Sequence, residues 1–207
     1  MSKRKEIGEY MVKKINYWKE NAEPSTVNAE LARLRKGVGH MPGDLPELYG
    51  ILLKTMPHSF WSSNGNITEA EWSCYIGLTM FAWHQQGNDI KTHCVHTPNH
   101  ISLGHALRQL VHDSSAEERM RNKLQMLITS NDMNEFSYHL KNIITFIRNE
   151  GIRINYADLA EDIYAFQFEE SRNRVCLKLG QDFYSENKED TNLSLIHISE
   201  PTRLQLI

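Results

Sequence analysis

Apolar residues recur at three- and four-residue spacing along almost the whole chain, and the stripes are separated by residues that start or stop helices. Thr68-Glu-Ala-Glu71 is the sharpest case. It has the spacing of a capping box, in which a hydroxyl and a carboxylate three residues apart satisfy the first backbone N–H groups of a helix. Trp72, Tyr75, Ile76, Met80 and Trp83 follow at helical spacing, marking a central core helix. No stretch sustains period-two alternation with β-branched residues, and Ile152-Arg-Ile154 is too short for a strand. A chain patterned in this way is expected to be all-α.

The other helices follow from the same reading. Ile7, Met11, Ile15 and Trp18 form one stripe, closed at Pro24. Ser25 or Thr26 is placed to cap a second helix through Leu31 and Leu34, ended by Gly37 and Gly39. Asp44-Leu-Pro-Glu47 has capping-box spacing ahead of Leu48, Ile51 and Leu52. Residues 85–99 are polar and histidine-rich and read as the longest loop. Ser102, the Ser115-Ala-Glu-Glu118 box, Asp132 and Asn155 then open four helices, and a last one carries Val175, Leu177, Leu179 and Phe183. The expected architecture is a single compact bundle of about eight or nine helices over residues 1–185. Residues 186–207 comprise an acidic tail and, from Leu193, a run that looks like a translated sequencing adaptor; both are left out of the fold.

The 207 residues suffice for one domain, and 40% hydrophobic with 24% charged is ordinary globular composition. No apolar run reaches the ~20 residues of a membrane span. The basic start Met1 to Lys5 leads into an amphipathic segment rather than a signal core, and Cys74, Cys94 and Cys176 form no C-x-x-C pair. Both features point to the cytoplasm. A net charge of −3 argues against an all-over nucleic-acid coating, but not against a local basic stripe.

Catalytic and metal signatures are lacking. His93, Cys94, His96, His100 and His105 are close in sequence, but zinc sites pair two separated ligand sets, and no second set follows. They read as solvated loop histidines, except His105, which sits in a capped helix and is placed to face a partner. Glu117-Glu118 and Glu161-Asp162 read as first-turn or exposed carboxylates. No activated nucleophile and no phosphate-binding glycine loop is present, so no catalytic residue, metal or cofactor is expected. The basic residues are more coherent. Arg33, Arg35 and Lys36 end one helix; Arg108, Arg119, Arg121 and Lys123 follow in two middle helices; Arg148 and Arg153 flank Gly151; and Arg172, Arg174 and Lys178 form a last cluster with a ridge from Arg174 to Lys178. From composition alone they read first as the solvated faces of a helical protein-interaction scaffold, balanced by Glu117, Glu118 and Glu170.

Leu34-Arg-Lys36, Leu45-Pro-Glu-Leu-Tyr49, Ile101-Ser-Leu-Gly-His-Ala-Leu107, Leu124-Gln-Met-Leu127, Leu159-Ala-Glu-Asp-Ile163 and Arg172-Asn-Arg174, taken in order and spacing, resemble the CasB family, the small subunit of the type I-E CRISPR surveillance complex. The resemblance runs from Ala32 to Tyr184, and the family pattern often has arginine where this chain has His105. It implies an all-helical, non-catalytic subunit of Cascade whose partners are crRNA, target DNA, the backbone and large subunits, and a second copy of itself. It also implies sequence-independent backbone contacts that stabilise the displaced strand of the R-loop. Arg35, Lys36, Arg172 and Arg174 occupy basic positions of the family pattern; Arg33, Arg108, Arg121, Lys141 and Lys178 complete the set expected to contact nucleic acid.

Overall fold

The computed structural model describes residues 2–185. Its nine α-helices are α1 (Lys3–Asn16), α2 (Pro24–Lys36), α3 (Tyr49–Leu52), α4 (Glu69–His84), α5 (Leu103–Gln109), α6 (Ser114–Ile128), α7 (Met133–Asn149), α8 (Tyr156–Phe166) and α9 (Glu169–Tyr184). Among the described residues there is no strand, only an isolated parallel bridge between His96 and Ile154. Helix α4 is buried on almost every side, as its all-round apolar sequence requires. Helices α1, α2, α7 and α8 surround it, α6 pairs with α7, and α9 lies against α5 and α8. Trp18 stacks on Phe81 at 5.8 Å and Tyr156 meets Phe81 edge-on at 5.3 Å, which joins α1's continuation, α4 and α8. Each such fully buried side chain contributes roughly 1.5–3 kcal/mol.

Four caps form where the sequence places them. Thr68 Oγ1 accepts from Glu71 N at 3.1 Å while Glu71 Oε2 accepts from Thr68 N at 2.8 Å. Ser102 Oγ accepts from His105 N, Asp132 from Asn134 N and Glu135 N, and Asn155 from Ala157 N and Asp158 N.

Three local readings are corrected. Pro24 opens α2 rather than separating it from a downstream cap; its missing N–H is one the first turn leaves unbonded anyway. Asp113, not Ser115, caps α6, its carboxylate accepting from Ala116 N at 2.7 Å. Asp44 makes no box with Glu47, because its carboxylate turns back to Met41 N at 2.8 Å. The segment forms a 3-10 turn, Pro46–Leu48, before the single-turn α3.

The glycine of Ile101-Ser-Leu-Gly-His-Ala-Leu107 has a packing reason. A Cβ on Gly104 would collide with the Leu179 carbonyl oxygen and come within 2.7 Å of Asp182 Cβ. Helix α5 therefore lies directly on the backbone of α9. The residues expected in a tail, 186–207, lie outside those described.

Candidate nucleic-acid interface

The basic residues ending α2 turn outward. Its apolar side, Val27, Leu31 and Leu34, is buried against the core, which leaves Arg33 and Lys36 exposed and Arg35 half-buried. Partial burial lowers the pKa of Arg35, though a guanidinium starting from so high a value keeps its proton. Arg33 and Arg35 have no carboxylate within ion-pair distance among the described residues. Lys36 reaches Glu47 at 3.4 Å, but both side chains stay largely in solvent, where such a pair is weak. Three cations also sit favourably at the negative end of the α2 dipole.

The second cluster is built differently. At the start of α9, Arg174 is exposed, whereas Arg172 is folded into the protein. Its guanidinium lies over the Phe166 ring at 4.2 Å and donates to the Ser130 carbonyl at 3.0 Å, with Nε buried and unpartnered. Lys178, one turn beyond Arg174, points to α8 and binds Asp162 Oδ2 at 2.7 Å. The expected ridge is thus one outward cation, Arg174, and two cations engaged within the fold. Helices α2 and α9 share no substantial interface, so the two clusters are not one site. Of the remaining candidates, Arg121 is exposed on α6 and Arg108 is half-buried at the end of the adjoining α5. Lys141 on α7 lies over the Trp83 ring at 4.9 Å.

Lys178 belongs to a polar seam among α1, α5, α8 and α9 that corrects the reading of Glu161 and Asp162 as exposed. Both are buried, because α8 lies between α1 and α9 and carboxylates there need cationic partners. Arg4 binds Asp162 at 2.9 Å and Lys5 binds Glu161 at 3.3 Å. Burial raises the Asp162 pKa, and Lys178 and Arg4 oppose that shift. Arg4 and Lys5 carry no local signal of this role, since their partners lie more than 150 positions away.

The seam opens into a cleft of about 260 Å³ containing Ser102, His105 and Asp182. Their composition is that of a hydrolytic triad, but the serine hydroxyl gives its proton to the carboxylate rather than to the imidazole and also caps the helix. Ser102 Oγ donates to Asp182 at 2.6 Å, accepts from the His105 backbone N–H and lies 3.1 Å from the ring Nδ1 of His105, while His105 Nε2 stands 3.8 Å from Asp182.

The histidines are not uniformly solvated as expected. His96 is partly buried and accepts from Tyr156 N through Nδ1 at 3.1 Å, and burial lowers its pKa. His100 pairs with Asp158 at 3.0 Å. The loop around them is ordered by Gln85, whose side chain donates to the His93 carbonyl and accepts from Val95 N. Among the described residues no three His, Cys, Asp or Glu side chains come together in a metal-ligating group. His84, unremarked in the sequence, is fully buried against the Tyr156 hydroxyl at 3.0 Å, and desolvation drops its pKa to about 4.

Residues 30–184 match the family model described as CRISPR-associated protein Cse2. The structure is similar to that of CasB from Thermobifida fusca, with a TM-score of 0.70 and 25% identity over 86% of this chain and 98% of that one. It is also similar in fold to CasB from M. ruber, with a TM-score of 0.63 and 19% identity over 91% of this chain and 98% of that one. No curated protein sequence matched.

Proposed function

We propose, from the premise that the chain belongs to the CRISPR-associated Cse2 family, that it is a non-catalytic, nucleic-acid-binding small subunit of a crRNA-guided type I-E interference complex. Family membership makes it a Cascade subunit. In the finer reading it works in the cytoplasm beside the backbone and large subunits and a second copy of itself. There it holds crRNA, target DNA and the displaced strand through their phosphates. R-loop formation exchanges one duplex for another of nearly equal stability, so modest contacts to the freed strand tip the balance.

The observation that carries this reading is that Arg33, Arg35 and Arg174 project from helix ends with no carboxylate partner among the described residues. Forked, permanently charged donors suit a strand whose sequence varies and whose backbone does not. A scaffold without direct nucleic-acid contact is the second reading, favoured by the internal partners of Arg172 and Lys178.

The test is target binding by complex reconstituted with Arg33→Ala, Arg35→Ala and Arg174→Ala together. The variant should assemble normally and form fewer stable R-loops, most visibly on relaxed DNA, where supercoiling does not assist strand separation. Normal assembly with unchanged binding on both relaxed and supercoiled targets would leave the scaffold reading.

A further inference from the structure

The outer face of α7 pairs cations with exposed aromatic rings, whereas the one such pair in the basic clusters, Arg172 on Phe166, uses a buried ring. The buried stripe of this helix is Phe136, Leu140, Ile143, Ile144 and Ile147. At ~100° per residue the opposite side is centred on Tyr138, Asn142, Thr145 and Asn149, an uncharged strip. Each rim of that strip pairs a cation with an aromatic ring. On the α4 side, Lys141 Nζ and the Arg148 guanidinium lie 4.9 and 5.0 Å from the half-buried Trp83 ring. Arg148 is further fixed by donating to the Trp83 carbonyl and to Gln86 Oε1. On the α6 side, Lys123 Nζ lies 4.5 Å from the ring of Phe146, which is 41% exposed, and Tyr138 is 60% exposed. None of Lys123, Lys141 and Arg148 has a carboxylate within 4 Å among the described residues. The carboxylate of Glu135, at the start of the helix, is taken up by Asn131 N and His139.

We propose that this face binds single-stranded nucleic acid, with unpaired bases against Tyr138 and Phe146 and phosphates on Lys123 and Lys141. Cations on both rims without counter-charges among the described residues call for a polyanion, and exposed rings between them suit one whose bases are unpaired. Duplex DNA offers phosphates but no free base face, so the aromatic groups make the surface strand-selective. The Trp83 ring, with Arg148 bonded beside it, restrains Lys141, which lowers the entropy lost when that lysine engages a phosphate. This face deepens the nucleic-acid reading above, and uses none of the residues whose substitution tests that reading.

The experiment measures fluorescence anisotropy of a labelled oligothymidylate and of a hairpin duplex with the full chain at ~50 mM salt. Melting curves confirm that each variant is folded. Tyr138→Ala with Phe146→Ala should weaken single-strand binding about tenfold and leave duplex binding unchanged. Lys123→Gln with Lys141→Gln should weaken both and flatten the salt dependence. Unchanged or absent single-strand binding overturns the proposal. So does a variant that binds oligothymidylate normally yet fails to join the complex, which makes the face a protein interface. A triple α2/α9 variant that leaves R-loops intact would instead sink the earlier reading without touching this one.

Discussion

The ends of α2 and α9 carry similar basic runs, Arg33-Leu-Arg-Lys36 and Arg172-Asn-Arg174, yet the fold uses them differently. At α2, Arg33 and Lys36 are exposed and Arg35 is half-buried, with one weak solvent-facing pair from Lys36 to Glu47. At α9, Arg172 crosses to the Ser130 carbonyl and covers Phe166, and Lys178 closes on Asp162. The difference follows from the neighbours. Helix α2 has core on one side only, whereas α9 is packed against α5 and α8, so cations near its seams meet buried acceptors. A charge counted in a sequence is therefore available to a ligand only when the element bearing it has an unpacked side.

The largest expected effect tests how the two ends are seated. Gly37 closes α2, and a Cβ there would meet only side-chain atoms of Leu48, Tyr75 and Thr79 at 2.9–3.0 Å. Gly104 faces the α9 backbone instead, which gives way less easily. Gly104→Ala should destabilise by about 3 kcal/mol and Gly37→Ala by about 1 kcal/mol in denaturant unfolding. Equal losses would mean that α9 is as loosely seated as α2, and the contrast between the clusters would lose its packing basis.

A histidine taken into the fold likewise sets a pH dependence that a surface one does not. His84 is neutral in the folded protein, with a pKa of about 4 against 6.5 for an unperturbed group. Above 6.5 neither state takes up the proton. Between 6.5 and 4 the unfolded chain binds it and the folded one does not, so stability drops as the pH is lowered through that window, by up to about 3 kcal/mol. The raised pKa of Asp162 works in the opposite direction at the acid end, its contribution being present at low pH and lost as pH rises through its folded value. His84→Gln should flatten the loss. If wild type and variant show the same urea midpoints from pH 7 to pH 4.5, His84 is not held neutral.

A smaller effect separates neighbours two positions apart. Arg172→Ala should cost about 2 kcal/mol, from a charged hydrogen bond and a cation–π contact, while Arg174→Ala should stay within about 0.5 kcal/mol. Equal values would return Arg172 to the solvent-facing set.

What the sequence shows and hides divides along the same line. Thr68, Ser102, Asp132 and Asn155 are legible as caps because each bond closes within three residues. The all-α architecture is legible because periodicity records which side of each helix is buried. The starts at Asp113 and Pro24 are less legible, since several hydroxyls, carboxylates and prolines compete within a few residues of one helix start. The candidate cations were legible only as charges. Whether Arg172 or Arg174 faces water depends on Ser130 and Phe166, and whether Glu161 is exposed depends on Arg4 and Lys5. No local pattern carries such pairings. His96 shows the same limit, because its use as an acceptor for Tyr156 N depends on the bridge to Ile154.

The smallest expected change in stability accompanies the most specific change in binding. Arg33→Gln and Arg35→Gln alter side chains with no ion-pair partner among the described residues, so unfolding midpoints should move little, by about 0.5 kcal/mol each at most. If each arginine neutralises one phosphate, releasing its counterion, each loss should reduce the log–log salt slope of binding by about 0.7 to 0.9. Arg172→Gln should leave that slope nearly unchanged, because its guanidinium is already committed to Ser130 and Phe166. Measured between ~50 and ~200 mM salt, a slope that responds to Arg172 as strongly as to Arg33 and Arg35 would show that the guanidinium swings out to meet the ligand. The α9 end would then be a second phosphate-binding cluster like that of α2. A slope indifferent to all three would place the phosphate contacts elsewhere on the molecule.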